Sequence, residues 1–478
     1  MTLLTNARLG GALVDVVIAD GRITEIAPAG SLSGDTIDLG GRWLLPGLWD
    51  NHVHLSQQAL ALRRVDLVGA PSAAEAARVM ADNASRVRLP ADHPLVGHGF
   101  RDGLWADTPT AALLDAAVGA VPTVLISGDL HCCWMNTAAL AMFGHAGHPT
   151  GILREEDCFE VVGELQDIPD VTLDDWVSEA ATTAAGRGVV GVVDMEMAPN
   201  VDVWKRRSSD GFNALRVSAG IYTAFLDAAI EAGHRTGDPL ESQGLITVGP
   251  FKVLTDGSLN TRTAYCIDEY PGTHEHGLLT APPDELVPLL RKASAAGIDP
   301  AVHAIGDEAN RLALDAFETV GCRGRIEHAQ LVREEDFARF AVLGVVASVQ
   351  PEHAMDDRDV ADRYWAGHTG RAFALRSLLD AGAELLLGSD APVSPLDPWV
   401  TISAAVSRSR DGREPWHPEQ TITVEQALAA SSRTRVAVGE VADLIAVEHD
   451  PLTASGDDLR AMPVALTMVA GRATHSAL

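Results

Sequence analysis

Eight short apolar runs, most of them closing on a polar side chain, limit what this chain can fold into more than any other feature. In order they are LLPGLWDNHVHL, GVVGVVDM at 188–195, RVSAGIYTAF, GPFKVLTDGS, DPAVHAIGD, GRIEHAQLV, GVVASVQPEH and ELLLGSDAPV. Short, nearly continuous apolar runs suit strands buried on both faces of a parallel sheet. Helical segments such as PDELVPLLRKASAAG, EANRLALDAFETVG and RAFALRSLLDAG separate most of them. Eight repeated βα units favour a closed (β/α)8 barrel over an open sheet, so the expected fold class is α/β, a TIM barrel.

The two ends of the chain share another texture. LLTNARL, VDVVIADGRITEIAP, VADLIAVEHDP and VALTMVAGRAT are β-like runs broken by turn residues. We expect residues 1–45 and 433–478 to pair into a flanking β-sandwich, with 46–55 and 186–432 forming the barrel. The stretch 56–185, between the first and second barrel strands, is too long to lack its own structure. It mixes helical segments with strand-like PLVGHGF and PTVLISG, and reads as an inserted α+β subdomain over the barrel mouth. Ser72 and Glu75 stand at capping-box spacing before one of its helices.

Composition excludes several functions. The formal net charge is -30 and the sequence pI about 4.8, a balance that repels nucleic acid and anionic lipid. The five cysteines are odd in number and form no Cys-x-x-Cys pair, which fits a reducing compartment. No secretory leader and no run of roughly 18–20 apolar residues is evident. The expectation is a cytoplasmic protein with a small-molecule substrate, without nucleic-acid or membrane partners, and compatible with a homo-oligomer.

The polar strand ends carry the chemistry. They are His52 and His54, Asp194, Lys252, His303, His328, Gln350 with His353, and Asp390. A barrel of this kind builds its active site at the C-terminal rim of the strands, so these side chains converge on one axis. His52 and His54, at i and i+2 on a strand, face the same side and suit a divalent metal; the bland alternative is two turn histidines. Taken singly, His303 and His328 read as hydrogen-bonded rim histidines, and only the joint arrangement makes them ligands. Lys252 is one of three lysines among 36 basic residues and sits inside an apolar strand. Burial lowers a lysine pKa, and a neutral amine can take up carbon dioxide to become an anionic carbamate. The alternative is a lysine reaching the rim or pairing with Asp256. Asp390 follows a run of leucines, where it either binds metal and moves protons or caps a turn before Pro392.

Taken together, these motifs resemble the amidohydrolase superfamily, in the branch of the YtcJ-like proteins and N-substituted formamide deformylases. The resemblance runs through LPGLWDNHVHL, KVLTDGSLNTRTA, HAIGD, RIEHAQ, SVQPEH, GSDAPV and ADLIAVEHDP, with HCCWMNTAAL and GILREED from the insert. Two departures stand out: a shortened turn at SSRTRVAVGEVADL, and GDLHCCWMN where the pattern has Gly directly before the His. The resemblance implies a barrel with a sandwich from both termini. It assigns His52, His54, His303 and His328 as metal ligands, Lys252 as the bridging lysine, and Asp390 as ligand and proton carrier. It implies one or two divalent metals, zinc first, activating water against an N-acyl, formamide or other non-peptide C–N bond. His131, Trp134, Asn136, Asp256 and Arg262 are the expected substrate contacts. Deamination, lactone opening or decarboxylation at the same site remain open, as does an inactive binding or regulatory protein on the same scaffold.

Overall fold

The computed structural model describes residues 1–34, 36–84, 93–165 and 168–478. Its centre is a ring of eight parallel strands: β1 Leu48–Val53, β2 Val189–Asp194, β3 Arg216–Tyr222, β4 Ile246–Leu254, β5 Pro300–Ala304, β6 Gly324–His328, β7 Val345–Val349 and β8 Leu385–Leu387. They pair in chain order. Every residue of β1 and β2 is buried, as strands covered on both faces require. The surrounding helices bury their apolar stripes in the same core, as Leu286 and Leu290 of helix Pro283–Ala295 do. Helix Asp307–Val320 stops at Gly321, whose φ of +69° favours a residue without Cβ and turns its N–H back to Phe317.

The ring closes by a clasp. β8 is only three residues long. Beyond it, Ala391 bridges Val53 in parallel, the Asp390 amide donates to the His52 carbonyl at 2.8 Å, and the His54 amide donates to the Ala391 carbonyl at 2.8 Å. Asp50 accepts the Ser389 amide at 2.9 Å, and the Asn51 amide side chain donates to the Leu387 carbonyl at 2.9 Å. Gly388 is required here, because a Cβ would stand 2.8 Å from the His52 nitrogen.

Two further sheets flank this barrel. Strands from both termini join in one eight-stranded sheet, with Trp43–Pro46 antiparallel to Leu444–Val447 at the junction. Arg22 of its end strand Arg22–Pro28 bridges Val441, and the sheet encloses a core that includes Val16, Ile23, Leu444 and Met468. The segment after β1 forms a five-stranded sheet in the order Ile152–Arg154, Cys132–Met135, Thr123–Ser127, Leu95–Phe100, Val65–Asp66. Separate apolar clusters pack on it around Trp134 and around Cys133. Ser72 caps helix Ala73–Ala84 by accepting the Glu75 amide at 3.1 Å, as its spacing predicts. Helix Asp170–Ala185, at the end of that segment, buries Val177, Ala181 and Ala184 in the barrel core.

Candidate active site

The C-terminal ends of the barrel strands open into a cavity. His52, His54, Lys252, His303, His328 and Asp390 all line it, so the rim assembles the six expected ligands. His52, His54 and Asp390 present donor atoms within 4.8 Å of one another. The His52 and His54 Nε2 atoms lie 3.4 and 3.3 Å from Asp390 Oδ1. Asp390 projects from a backbone with φ +58°, in the left-handed region that Asp tolerates better than most residues. Despite complete burial, the neighbouring His52, His54 and His328 hold its carboxyl well below the usual range.

The imidazoles are prepared as ligands. His52 Nδ1 donates to Glu327 Oε2 at 2.7 Å, which leaves the Nε2 lone pair facing Asp390 and Lys252. Burial, then the Lys252 charge, pushes the His52 pKa down to about 4. His303 and His328 are also driven well below the usual value by burial, so these rings are neutral. His303 Nε2 lies 3.3 Å from the Gly257 carbonyl and 3.4 Å from Asp256 Oδ1. The His52, His303 and His328 nitrogens beside an anionic carboxylate, with His54 drawn to that carboxylate against its burial and its Nδ1 unpartnered among the described residues, make a donor set that fits a divalent cation.

Lys252 is 2% exposed, and its Nζ stands 3.2 Å from His52 Nε2. Burial lowers its pKa to about 8, against the raising effect of Glu327 and Asp390. Glu327 is the residue the sequence reading missed here. It pairs with Arg325 at 2.5 Å, and Arg325 and His52 keep it ionised despite burial.

The insert walls one side of the cavity with Arg101, Asp129, His131 and Phe159. His131 Nδ1 meets Glu155 Oε2 at 2.8 Å. Although burial works against it, the charge and hydrogen bond of Glu155 raise the His131 pKa to about 9, so the ring is a cation. Arg101 is held by Asp356 at 3.0 Å and Asp357 at 3.4 Å.

The other expected contacts lie elsewhere. Trp134 is fully buried in the insert core beside Phe100 and Trp105, its indole N–H donating to the Thr110 carbonyl. Asn136 caps helix Thr137–Met142 by accepting the Ala139 amide at 2.9 Å. Neither lines the cavity: an indole and an amide inside an apolar fold serve that fold first. Asp256 accepts the Ile305, Gly306 and Tyr265 amides, and burial lifts its pKa to about 7 against those bonds. It braces the β4 and β5 ends behind His303. Arg262 is exposed, its guanidinium 5.6 Å from the Tyr364 ring in a separate cleft. Asp194 ends β2 outside the ligand group, accepting from the Leu55 amide and the Trp204 indole.

With this geometry in view, similarity to known proteins adds the class of chemistry. The sequence pattern of the amidohydrolase family matches residues 35–475. The putative amidohydrolase YtcJ of Bacillus subtilis is 26% identical, across 93% of this chain and 91% of its own. The N-substituted formamide deformylase of Arthrobacter pascens is 25% identical, across 95% and 94%. The crystal structure of an uncharacterized metal-dependent hydrolase from Pyrococcus horikoshii superposes with a TM-score of 0.79 at 26% identity, covering 95% of this chain and 99% of that one. No helix among the described residues is long and apolar enough to cross a membrane. The rim ligands and the match over nearly the whole length lead to one conclusion: this chain belongs to the amidohydrolase family and is a hydrolase of carbon–nitrogen bonds.

Proposed function

We propose that the enzyme uses one or two divalent ions, zinc in this reading, to hydrolyse a non-peptide C–N bond of the N-acyl or formamide type. The observation that carries the proposal is the convergence of His52, His54 and Asp390 beside buried Lys252, inside a cavity walled by the insert. The likeness to an N-substituted formamide deformylase supports the choice of acyl group. In this reading residues 56–185 form the insert over the barrel mouth, its last helix Asp170–Ala185 packed on the barrel, with 46–55 and 186–432 the barrel and 1–45 with 433–478 the sandwich.

His52, His54, Lys252, His303, His328 and Asp390 hold the metal. Bound there, a divalent ion supplies a water of lowered pKa and polarises a carbonyl oxygen. The Lys252 amine, partly unprotonated at neutral pH, adds to carbon dioxide: an N–C bond forms as one C=O π bond opens, a proton leaves to solvent, and the resulting lysine carbamate offers two oxygens that could serve as ligands. Glu327 orients His52 through Nδ1. Asp390 takes a proton from the attacking water and returns it to the leaving nitrogen. His131, fixed by Glu155, meets the substrate from the insert side.

Protein made in zinc-supplemented medium tests this directly. Elemental analysis gives the metal content, and release of formate, acetate or amine is followed with N-alkyl and N-aryl formamides, N-acetyl amines and cyclic amides. Tightly bound metal and turnover of the formamide arm are expected. Metal at a small fraction of an equivalent overturns the assignment.

A further inference from the structure

His353 sits in the first turn of helix Pro351–Tyr364, just past β7, and the assignment above gives it no task. Its side chain is 5% exposed and lines the mouth cavity. Its Nε2 is buried without a hydrogen-bond partner among the described residues and stands 3.9 Å from Asp390 Oδ2. The other ring nitrogen, Nδ1, lies 3.3 Å from the Gln330 amide nitrogen. In this orientation of the Gln330 amide, whose Oε1 is buried without a partner among the described residues, Nδ1 accepts and Nε2 carries the hydrogen. A buried N–H pointing into a cavity without an acceptor is costly, and that cost is relieved when a ligand oxygen arrives.

An imidazole in this place has two chemical uses, metal ligand or hydrogen-bond donor. His328, His353 and Asp390 do present donor atoms within 4.8 Å of one another. The hydrogen bonds argue against a metal trio there. His328 turns Nδ1 toward Asp390, 4.0 Å away. That nitrogen is committed to Gln350 Oε1 at 2.9 Å, because the Gln350 amide nitrogen faces the Ser348 carbonyl. It therefore carries a hydrogen and has no lone pair for a metal. The His353 nitrogen, in turn, offers a hydrogen rather than a lone pair.

We propose that His353 donates its Nε2 hydrogen to the carbonyl oxygen of the bound substrate, with Gln330 as the positioning residue that fixes the tautomer. The inference rests on the hydrolase reading. Asp390 is the group that moves the proton of the attacking water in that reading, and Nε2 is its neighbour. A carbonyl carbon attacked beside Asp390 carries its oxygen within reach of this donor. A fixed N–H at that point stabilises the negative charge that grows on the oxygen.

The test uses the metal-loaded full chain with His353→Ala, His353→Asn and Gln330→Leu. Metal content is read by elemental analysis, the ligand sphere by the visible spectrum of the cobalt(II)-substituted protein, and acetohydroxamate affinity from the change in that spectrum. Where an amide substrate is turned over, kcat and KM are added. For His353→Ala, metal content and the ligand-free cobalt spectrum stay as in wild type. The acetohydroxamate Kd rises about tenfold, and kcat falls on the order of 10²–10³-fold with a smaller change in KM. His353→Asn, which keeps a donor, recovers part of the loss, and Gln330→Leu shows a smaller loss of the same sign. A missing metal equivalent or an altered ligand-free spectrum makes His353 a metal ligand and overturns the proposal. Unchanged hydroxamate affinity overturns it too and leaves His353 as packing. The hydroxamate arm needs metal and pocket but no turnover, so it still decides if every amide in the panel proves inert. A wild-type protein that holds no metal instead refutes the hydrolase reading itself.

Discussion

The barrel rim and the insert wall face the same cavity with the same kinds of side chain, yet they hold them differently. On the rim, the ligands are placed by backbone: His52, His54 and Asp390 are tied to one another through the amides and carbonyls that close the ring. On the wall, placement runs through side-chain pairs, His131 with Glu155 at 2.8 Å and Arg101 with Asp356 at 3.0 Å. Rim geometry is therefore a property of the fold, and wall geometry a property of individual partners. In the proposed reading the rim fixes what reaction is possible and the wall adjusts what enters.

The sharpest break in that contrast comes at Lys252. Lys252→Arg keeps a cation but no amine that can be deprotonated, so it should lose the metal held through this position and nearly all turnover, as completely as Lys252→Ala. Short carboxylates added to the Ala variant should restore part of both, because they replace the missing oxygens. Full metal content and rate in Lys252→Arg, by elemental analysis and kcat/KM, would remove the carbamate from the rim. On the insert side, Trp134→Ala should lower stability by about 3–5 kcal/mol in denaturant unfolding, since a fully buried indole leaves a cavity. The metal content of that variant should match wild type; a loss of metal would show that wall and rim are not independent.

His131 gives an effect that depends on pH. Its pKa is raised from 6.5 to about 9 in the fold, so the pairing with Glu155 stabilises fully below 6.5 and fades as pH rises through 9. The stability gap between wild type and His131→Gln should therefore be widest below pH 6.5 and close above pH 9, with metal content unchanged throughout. A gap that does not vary with pH means the ring is held neutral. The smallest effect is expected at Asn136→Ala, about 1–2 kcal/mol from a lost helix cap and its neighbouring bonds, with no change in KM. A raised KM would return Asn136 to the pocket.

The same contrast explains what the sequence made legible. Strand periodicity and rim position brought out the six residues that line one cavity, because backbone geometry alone fixes where strand ends point. Glu327 escaped for a related reason. Alternation puts neighbours on opposite faces, so a reader who turns His328 inward turns Glu327 away. His328 has φ +74°, which breaks the alternation and lets both residues serve the site. In the insert, residue type was a poor guide. HCCWMN contains a cavity cation, a core indole and a helix cap within six positions, and only the packing of the small sheet separates them. Phe159 and Arg101 reach the cavity from segments whose local pattern marks nothing but a helix and a strand end.

The clasp at β8 has a mechanical meaning. A ring whose last joint is made of the atoms flanking its own ligands cannot be opened without scattering those ligands, nor can the ligands be re-aimed without loosening the joint. Gly388 lies against that joint, with no space for even a methyl group. Substitutions there cost stability and chemistry together, whereas a wall substitution such as His131→Gln costs stability while leaving the rim residues in place. On the proposed reading, a chain built this way exchanges one substrate for another by steps through the insert while its rim stands still.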